Sequence, residues 1–468
     1  MRIIHSLCLA GISLFLSQPI LGSDTKLLHP LAQEWECDSL LTSGGYTNAM
    51  WWQQFKDPVL DSLISIGQNN NYNLLIAERR ISIAKAELGM AQAGYYPTIG
   101  INLGYERSRH SGNLSKIHGP AETSSYFSGT ATMSWEIDVF GKIRQQTKSK
   151  KASVSVSRAE YAGAMISLEA EIANAYISLL SSREQWEVAT QHAESQLHIV
   201  KLTEARHETG LASKLDVAQA KTTYYSTTAS IPLLEASVES SINALAVLLG
   251  LDRSELPSSL FEQKDLPDYH QIVYMGVPAD LLRRRPDIVA AEKNIDSAAA
   301  SLGFAKKEYL PSLSLQGSIG TMSHDLGDLG KKDSFTYSIA PTLSWTVFSG
   351  LSRRYSTLEA RENLETQIDN YNLTVLGAVE EVRNAVVDYS SSLKYISGLE
   401  NMTLNAQEAT RLSVDLYKQG LTAFTNVDNA ELNYLSAENN LVEARKKAIM
   451  SLINLYKALG GGWDINLQ

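Results

Sequence analysis

Few residues in this 468-residue chain could carry covalent chemistry, and those few form no recognised constellation. The two cysteines, Cys8 and Cys37, cannot build a disulfide framework or a Cys-rich metal site. His192, His198 and His207 fall on one predicted helix, but their spacing sets no pair on one face. They are expected in the helix wall or in solvent, not on a metal. The chain holds no phosphate-cradling Gly loop, no H-E-x-x-H and no Ser nucleophile elbow. No enzyme activity, cofactor or metal is therefore expected. The run Arg283-Arg284-Arg285 could hold an anion. Flanked by Asp280 and Asp287 and followed by Pro286, it is better suited to fixing a helix start through ion pairs and caps. What remains are polar residues just past two Gly-Leu turns: Asp216 after Gly210-Leu211, and Asn426, Asp428 and Asn429 after Gly420-Leu421. Carboxylates and amides so placed hold water and cations; they do not break bonds.

Composition narrows the classes. The formal net charge is -10 and the hydrophobic share 44%, which excludes a disordered chain and argues against nucleic acid. A mean hydropathy of -0.15 excludes a bundle of apolar spans. At the start, Arg2 and the apolar stretch from Ile3 to Leu16 make a secretory signal over residues 1–22, too short for a membrane span. Neither cysteine follows the Leu-x-small pattern that a lipid-modified cysteine needs.

The elements that position the turns occur twice. Trp135 recurs as Trp345, Gly210-Leu211 as Gly420-Leu421, and Leu249-Gly250 as Leu459-Gly460, all at one offset; Tyr96-Pro97 matches Leu310-Pro311 nearly so. One repeat is expected over residues 58–265 and a second over 266–468, after an N-terminal periplasmic segment, 23–57. Strands alternate strictly. Phe127, Gly129, Ala131, Met133, Trp135 and Ile137 share one face, with Ser128, Thr130, Thr132 and Ser134 opposite. Phe335 to Val347 repeats the pattern, and Ile99 to Tyr105 and Leu313 to Ile319 supply partner strands. One apolar and one small, polar face suit a strand between lipid and a wet lumen. Four strands cannot close a barrel, and open edges do not persist in lipid. The barrel must be shared between chains. Residues 108–123 and 321–334, rich in Gly, Ser, Asp and Lys, are expected as exposed hairpin loops.

Gly141 to Glu208 holds no proline and favours helix throughout, spanning roughly 100 Å. Gly350 to Gln419 is its copy. Ser213 to Leu249 and Thr425 to Leu459 return along the lower half of the long helices. The single helical stretches Pro58 to Gly94 and Pro286 to Lys307 cover the upper half. Large core residues are few, which suits a thin helical wall around solvent.

Four stretches resemble the outer membrane efflux proteins, the TolC-like outer membrane factors. They are Trp51-Trp52-Gln53-Gln54-Phe55-Lys56-Asp57-Pro58-Val59-Leu60, Gly276-Val277-Pro278-Ala279-Asp280-Leu281-Leu282-Arg283-Arg284-Arg285-Pro286-Asp287-Ile288, Gly210-Leu211-Ala212-Ser213-Lys214-Leu215-Asp216-Val217-Ala218-Gln219-Ala220, and Ala246-Val247-Leu248-Leu249-Gly250. The resemblance extends from about Trp51 to Trp463 and is nearest the branch that serves resistance-nodulation-division pumps. It implies a mixed α and β fold: a homotrimeric, twelve-stranded transmembrane β-barrel with four strands per chain, continued by a twelve-helix periplasmic α-barrel. It also implies a passive exit duct in outer membrane lipid, reaching into the periplasm, with a periplasmic adaptor and an inner membrane efflux transporter as partners. A duct for type I protein secretion is the alternative. A general porin is the second alternative, although it would build its barrel from one chain.

Within that assembly the turns acquire roles. Leu211 and Leu421 have no core to enter, and three copies of each would ring the tunnel end, where the family's adaptors dock. Gly210, Leu211, Gly420 and Leu421 are therefore the expected docking tips. Asp216, Asn426, Asp428 and Asn429 are the expected periplasmic gate, because a ring of three carboxylates favours cations. If the constriction were apolar, Leu215 and Phe424 would form it.

Overall fold

The computed structural model describes residues 41–42, 50–109, 111, 123–262, 264–268, 273–274 and 285–461. The signal segment, Cys8, Cys37, Asp280, Arg283, Arg284, most of the first hairpin loop and the end of the chain lie outside the described residues.

Period-two alternation gives four long strands: β2 (Thr98–Arg109), β3 (Thr123–Ile137), β5 (Ser312–Ser323) and β6 (Phe335–Ser344). They form one antiparallel sheet in the order β2-β3-β5-β6. The register aligns both faces across the whole sheet. Ile101 pairs with Ala131, Ala131 with Ile319, and Ile319 with Tyr337. One step along, Gly100, Thr132, Ser318 and Ser338 form the matching polar row. β2 and β6 are left with open edges, and Pro341, which cannot donate to a ladder, sits in edge strand β6. Ile101 is 78% and Ile339 73% exposed, so the apolar face has no cover within the chain. A two-residue parallel pair, β1 (Leu41–Thr42) with β4 (Val273–Tyr274), stands apart from this sheet. The second loop begins later than expected, because β5 continues through Ser323.

The helices are α1 (Pro58–Asn70), α2 (Tyr72–Ala93), α3 (Lys142–Glu208), α4 (Lys214–Leu249), α5 (Pro286–Lys307), α6 (Ser352–Lys418) and α7 (Phe424–Ala458). α3 and α6 are both 67 residues long. α4 packs along the lower part of α3, and α2 and α5 along the upper part; α6 packs in the same way on α7 and α5. Small residues permit the close approach: Ala152, Ala159, Ala162, Ala170 and Ala173 are buried along α3, and Ser149 meets Ser297 and Ser301 of α5 at 3.0 and 3.1 Å. Each strand pair is fastened to the helices in the same way. Trp135 Nε1 donates to the Tyr95 carbonyl at 3.0 Å, and Trp345 Nε1 to the Tyr309 carbonyl at 2.9 Å.

Two expectations need correction. The stretch from Pro58 to Gly94 is two helices, not one. Asn71 is extended (φ -63°, ψ 124°), its side-chain oxygen accepts from Leu74 N–H, and its Nδ2 donates to the Leu248 carbonyl at 2.7 Å. Gly250, at φ 65°, closes α4 against this break; a Cβ there would stand 2.4 Å from the Asn70 carbonyl oxygen. Large core residues are also not few. Trp51, Leu60, Leu63, Ile64, Tyr176 and Tyr456 belong to one buried cluster where α1, α2, α3, α4, α6 and α7 meet at mid-height. Trp51 stacks on Tyr456 with ring centres 5.3 Å apart. Asp57, 2% exposed, caps α1 and accepts from Tyr176 Oη at 2.9 Å and from Lys264. The segment from Trp51 to Phe55 is therefore part of this core.

Candidate functional site at the helical turns

The two Gly-Leu turns are built alike. At the first, Leu211 N–H donates to the Arg206 carbonyl at 2.8 Å and Gly210 N–H to the His207 carbonyl at 2.9 Å. At the second, Leu421 N–H reaches Leu416 and Gly420 N–H reaches Tyr417, both at 2.9 Å. This is the Schellman close of a helix, which needs a left-handed residue. Both glycines have φ 77°. Leu211 and Leu421, 68% and 69% exposed, project from the turns with nothing to cover them. The turns sit side by side. Arg206 Nη1 donates to the Lys418 carbonyl at 2.7 Å, and its guanidinium lies 4.8 Å from the Tyr417 ring centre. Ile199, Val200, Ala220, Tyr417, Phe424 and Val427 form a small apolar cluster just above.

The expected gate residues are differently engaged. Asp216 closes a capping box: its Oδ1 accepts from Ser213 Oγ at 2.8 Å, its Oδ2 from Ser213 N–H at 3.2 Å, and its own N–H donates back to Ser213 Oγ. Both carboxylate oxygens are used at the start of α4. Asp428 accepts from Thr223 Oγ1 at 2.5 Å and so ties α7 to α4. Asn426 donates to Thr422 Oγ1 at 2.7 Å, and Asn429 is exposed. Leu215 is 65% exposed. Phe424 is buried against the Tyr417 ring at 5.5 Å; as a core residue it cannot form an apolar constriction.

Arg285, the described member of the arginine run, fixes a helix start as expected. It is buried, pairs with Asp287 at 2.7 Å and Glu381 at 2.6 Å, and donates to the Ala458 carbonyl at 3.0 Å. The histidines separate. His207 Nδ1 lies 2.9 Å from the Ala212 carbonyl and stitches the first turn. His192 is buried, with Nε2 2.7 Å from Glu438 and Nδ1 3.7 Å from Glu431, both on α7. Burial alone would lower its pKa; the two glutamate carboxylates facing the ring, one of them hydrogen-bonded to Nε2, outweigh that and raise it to about 9. For Glu438 burial opposes ionisation, but the bonds from His192 and Tyr434 prevail and lower its pKa. Histidine spacing within one helix gives no sign of this trio, because its members come from both halves of the chain.

A sheet with an uncovered apolar face, standing on long paired helices that end in exposed apolar turns, is the arrangement of a membrane-anchored protein with a long helical extension. The outer membrane efflux protein model matches residues 63–251 and 277–461, and the chain belongs to that family. It is 28% identical over 415 residues to a probable efflux pump outer membrane protein, TtgC of Pseudomonas putida, covering 88% of this chain and 85% of that one. Among solved structures it is similar to the outer-membrane channel OprN, with TM-score 0.88, 28% identity and coverage of 95% and 99%. It is also similar to the open MtrE outer membrane channel of Neisseria gonorrhoeae, with TM-score 0.78, 27% identity and coverage of 94% and 97%. The protein is an efflux channel of the outer membrane, extending into the periplasm, in a family of channels and not of enzymes.

Proposed function

We propose that three copies close a twelve-stranded barrel over a twelve-helix tunnel, and that this trimer is the passive exit duct of a tripartite efflux system. The observation that carries the reading is the four-stranded sheet with an apolar face and two open edges, an arrangement lipid does not tolerate unless copies join edge to edge. α4 supports it. A stretch of this helix has mean hydropathy 1.3 yet is mostly uncovered in the single chain, and Tyr225, Leu233 and Val247 along α4 are exposed. A neighbouring copy would bury it. Gly210, Leu211, Gly420 and Leu421 form the surface for a periplasmic adaptor, and an inner membrane transporter supplies energy and substrate choice. The gate lies at the turn end. There the Asp428–Thr223 bond and the Asp216 capping box hold the returning helices in place, and Asn426 and Asn429 stand beside them. Mass measurement of the detergent-purified complex tests the assembly: three chains are expected, and a stable single chain with a closed barrel would overturn it.

A further inference from the structure

The halves of the chain meet along the lower tunnel mainly through α3 against α7. Any widening of the periplasmic end that moves α6 and α7 away from α3 and α4 must part this contact. The other polar links across it are exposed or partly exposed: Gln185 to Glu443 at 2.7 Å and Arg445 to Glu184 at 3.7 Å; beside it Arg206 of α3 reaches the Lys418 carbonyl at the end of α6. The His192 link is different. The imidazole and Glu431 are each about 5% exposed at the side chain, Glu438 is partly covered, and Tyr434 packs on the ring at 4.9 Å.

We propose that His192, held between Glu431 and Glu438, is a charge-dependent latch whose neutralisation releases α7 from α3 and opens the periplasmic end. With the imidazolium present, one cation faces two carboxylates. Without it, two carboxylates share a poorly hydrated layer with no cation between them, and their repulsion acts across the α3–α7 contact. The layer is also poorly satisfied. His192 Nδ1, Glu431 Oε2 and both polar atoms of Gln196, one turn further along α3, are buried with no hydrogen-bond partner among the described residues. Such groups favour water as soon as the helices separate.

The surroundings do not supply a substitute charge. α4 carries no charged residue between Lys221 and Glu235. α6 offers Gln407 to Tyr434; its Glu400 is 4.0 Å from Arg445, and its Arg411 is taken up by Glu408 and Asp415. Arg445, the nearest α7 cation, is paired with Glu184 and Glu400 and not with Glu431 or Glu438. On α3, Glu184 and Glu187 add negative charge. His192 is thus the cation of this layer.

The inference rests on the proposed gate at the turn end, and the test separates the two. Purified protein in planar bilayers is recorded from about pH 7 to about pH 10. The wild-type channel should stay mostly shut at the lower pH and open through about pH 9, by about tenfold per pH unit for one proton per chain, more steeply if three act together. His192→Gln should be open already at neutral pH and flat. A variant with His192→Gln, Glu431→Gln and Glu438→Gln, which carries no charge in the layer, should be shut and flat; with the wild-type titration it decides the matter if the single variant fails to assemble. A wild type that is shut and insensitive to pH, or a single variant that titrates like wild type, overturns the latch. A wild type freely open at neutral pH overturns the gate itself.

Discussion

At Glu169 a carboxyl group of α3 is only 5% exposed, among the aliphatic side chains of the mid-height core. Burial pushes its pKa up to about 7, although Gln68 Nε2 donates to it at 2.8 Å and works in the other direction. The folded chain therefore keeps a proton that the unfolded chain releases near its ordinary value. The contribution of this group to stability is greatest in acid, falls as pH rises from about 4.5 to about 7, and stays lower above that. Glu169→Gln keeps an amide partner for Gln68 and removes the ionisation. It should stabilise the protein at pH 8 by roughly 2 kcal/mol and flatten the fall. Thermal midpoints at pH 5 and pH 8 check this; an unchanged difference between them would place the titration elsewhere. Side-chain roles were unevenly legible in the sequence. Ser213 followed three residues later by Asp216 is a local capping pattern, so a structural use of that acid was visible from the start. Glu431 and Glu438 carried no signal, since only the folded chain brings them to His192.

Among the elements, the strands were the most legible because their information is local. Alternation over ten or more residues fixes which face is apolar, and a one-residue slip would invert every side chain. The observed register keeps Ala131 between Ile101 and Ile319, and Thr132 between Gly100 and Ser318. The break at Asn71 carried a local sign, the run Asn69-Asn70-Asn71 with its preference for caps, which the expectation of one helix does not take into account. The bend follows from the bond to the Leu248 carbonyl and the closeness of Gly250, both far away in sequence. The Trp51-Trp52 core was hidden, since its partners come from six helices spread over both halves of the chain. The strand faces support a sharp test. Arg in place of Ala131 or Ile339, on the apolar row, should cost roughly 2–4 kcal/mol per chain at mid-depth in lipid. Thr132→Arg, on the polar row beside Ala131, should cost little. Refolding yields into lipid vesicles of each variant compare the two rows, and equal losses at Ala131 and Thr132 would mean the faces are reversed.

For the whole molecule the turns matter most, because in the proposed trimer they are the part of the tunnel a partner can meet end on. An exposed leucine beside each Schellman glycine contributes nothing to the fold of its own chain. Repeated by the duplication, and again in the proposed trimer, it would make an apolar ring suited to contact with another protein. Charge placed there should separate assembly from export. Gly210 has open space where a Cβ would sit, and Asp tolerates a left-handed backbone better than most residues, so Gly210→Asp should still fold. Leu421→Glu replaces a side chain that makes no core contact and should be nearly neutral for stability. Either substitution would bury an unpaired carboxylate against an apolar partner, a loss of about 3–5 kcal/mol when nothing compensates it. The trimer should therefore be recovered at normal yield in the outer membrane while drug susceptibility returns to that of a strain lacking the channel. Leu421→Met, similar in volume and still apolar, should keep export. If both charged variants exported normally, the adaptor would have to grip the sides of the helix pairs, and the surfaces of α4 and α6 nearest the turns would be the next place to set a charge.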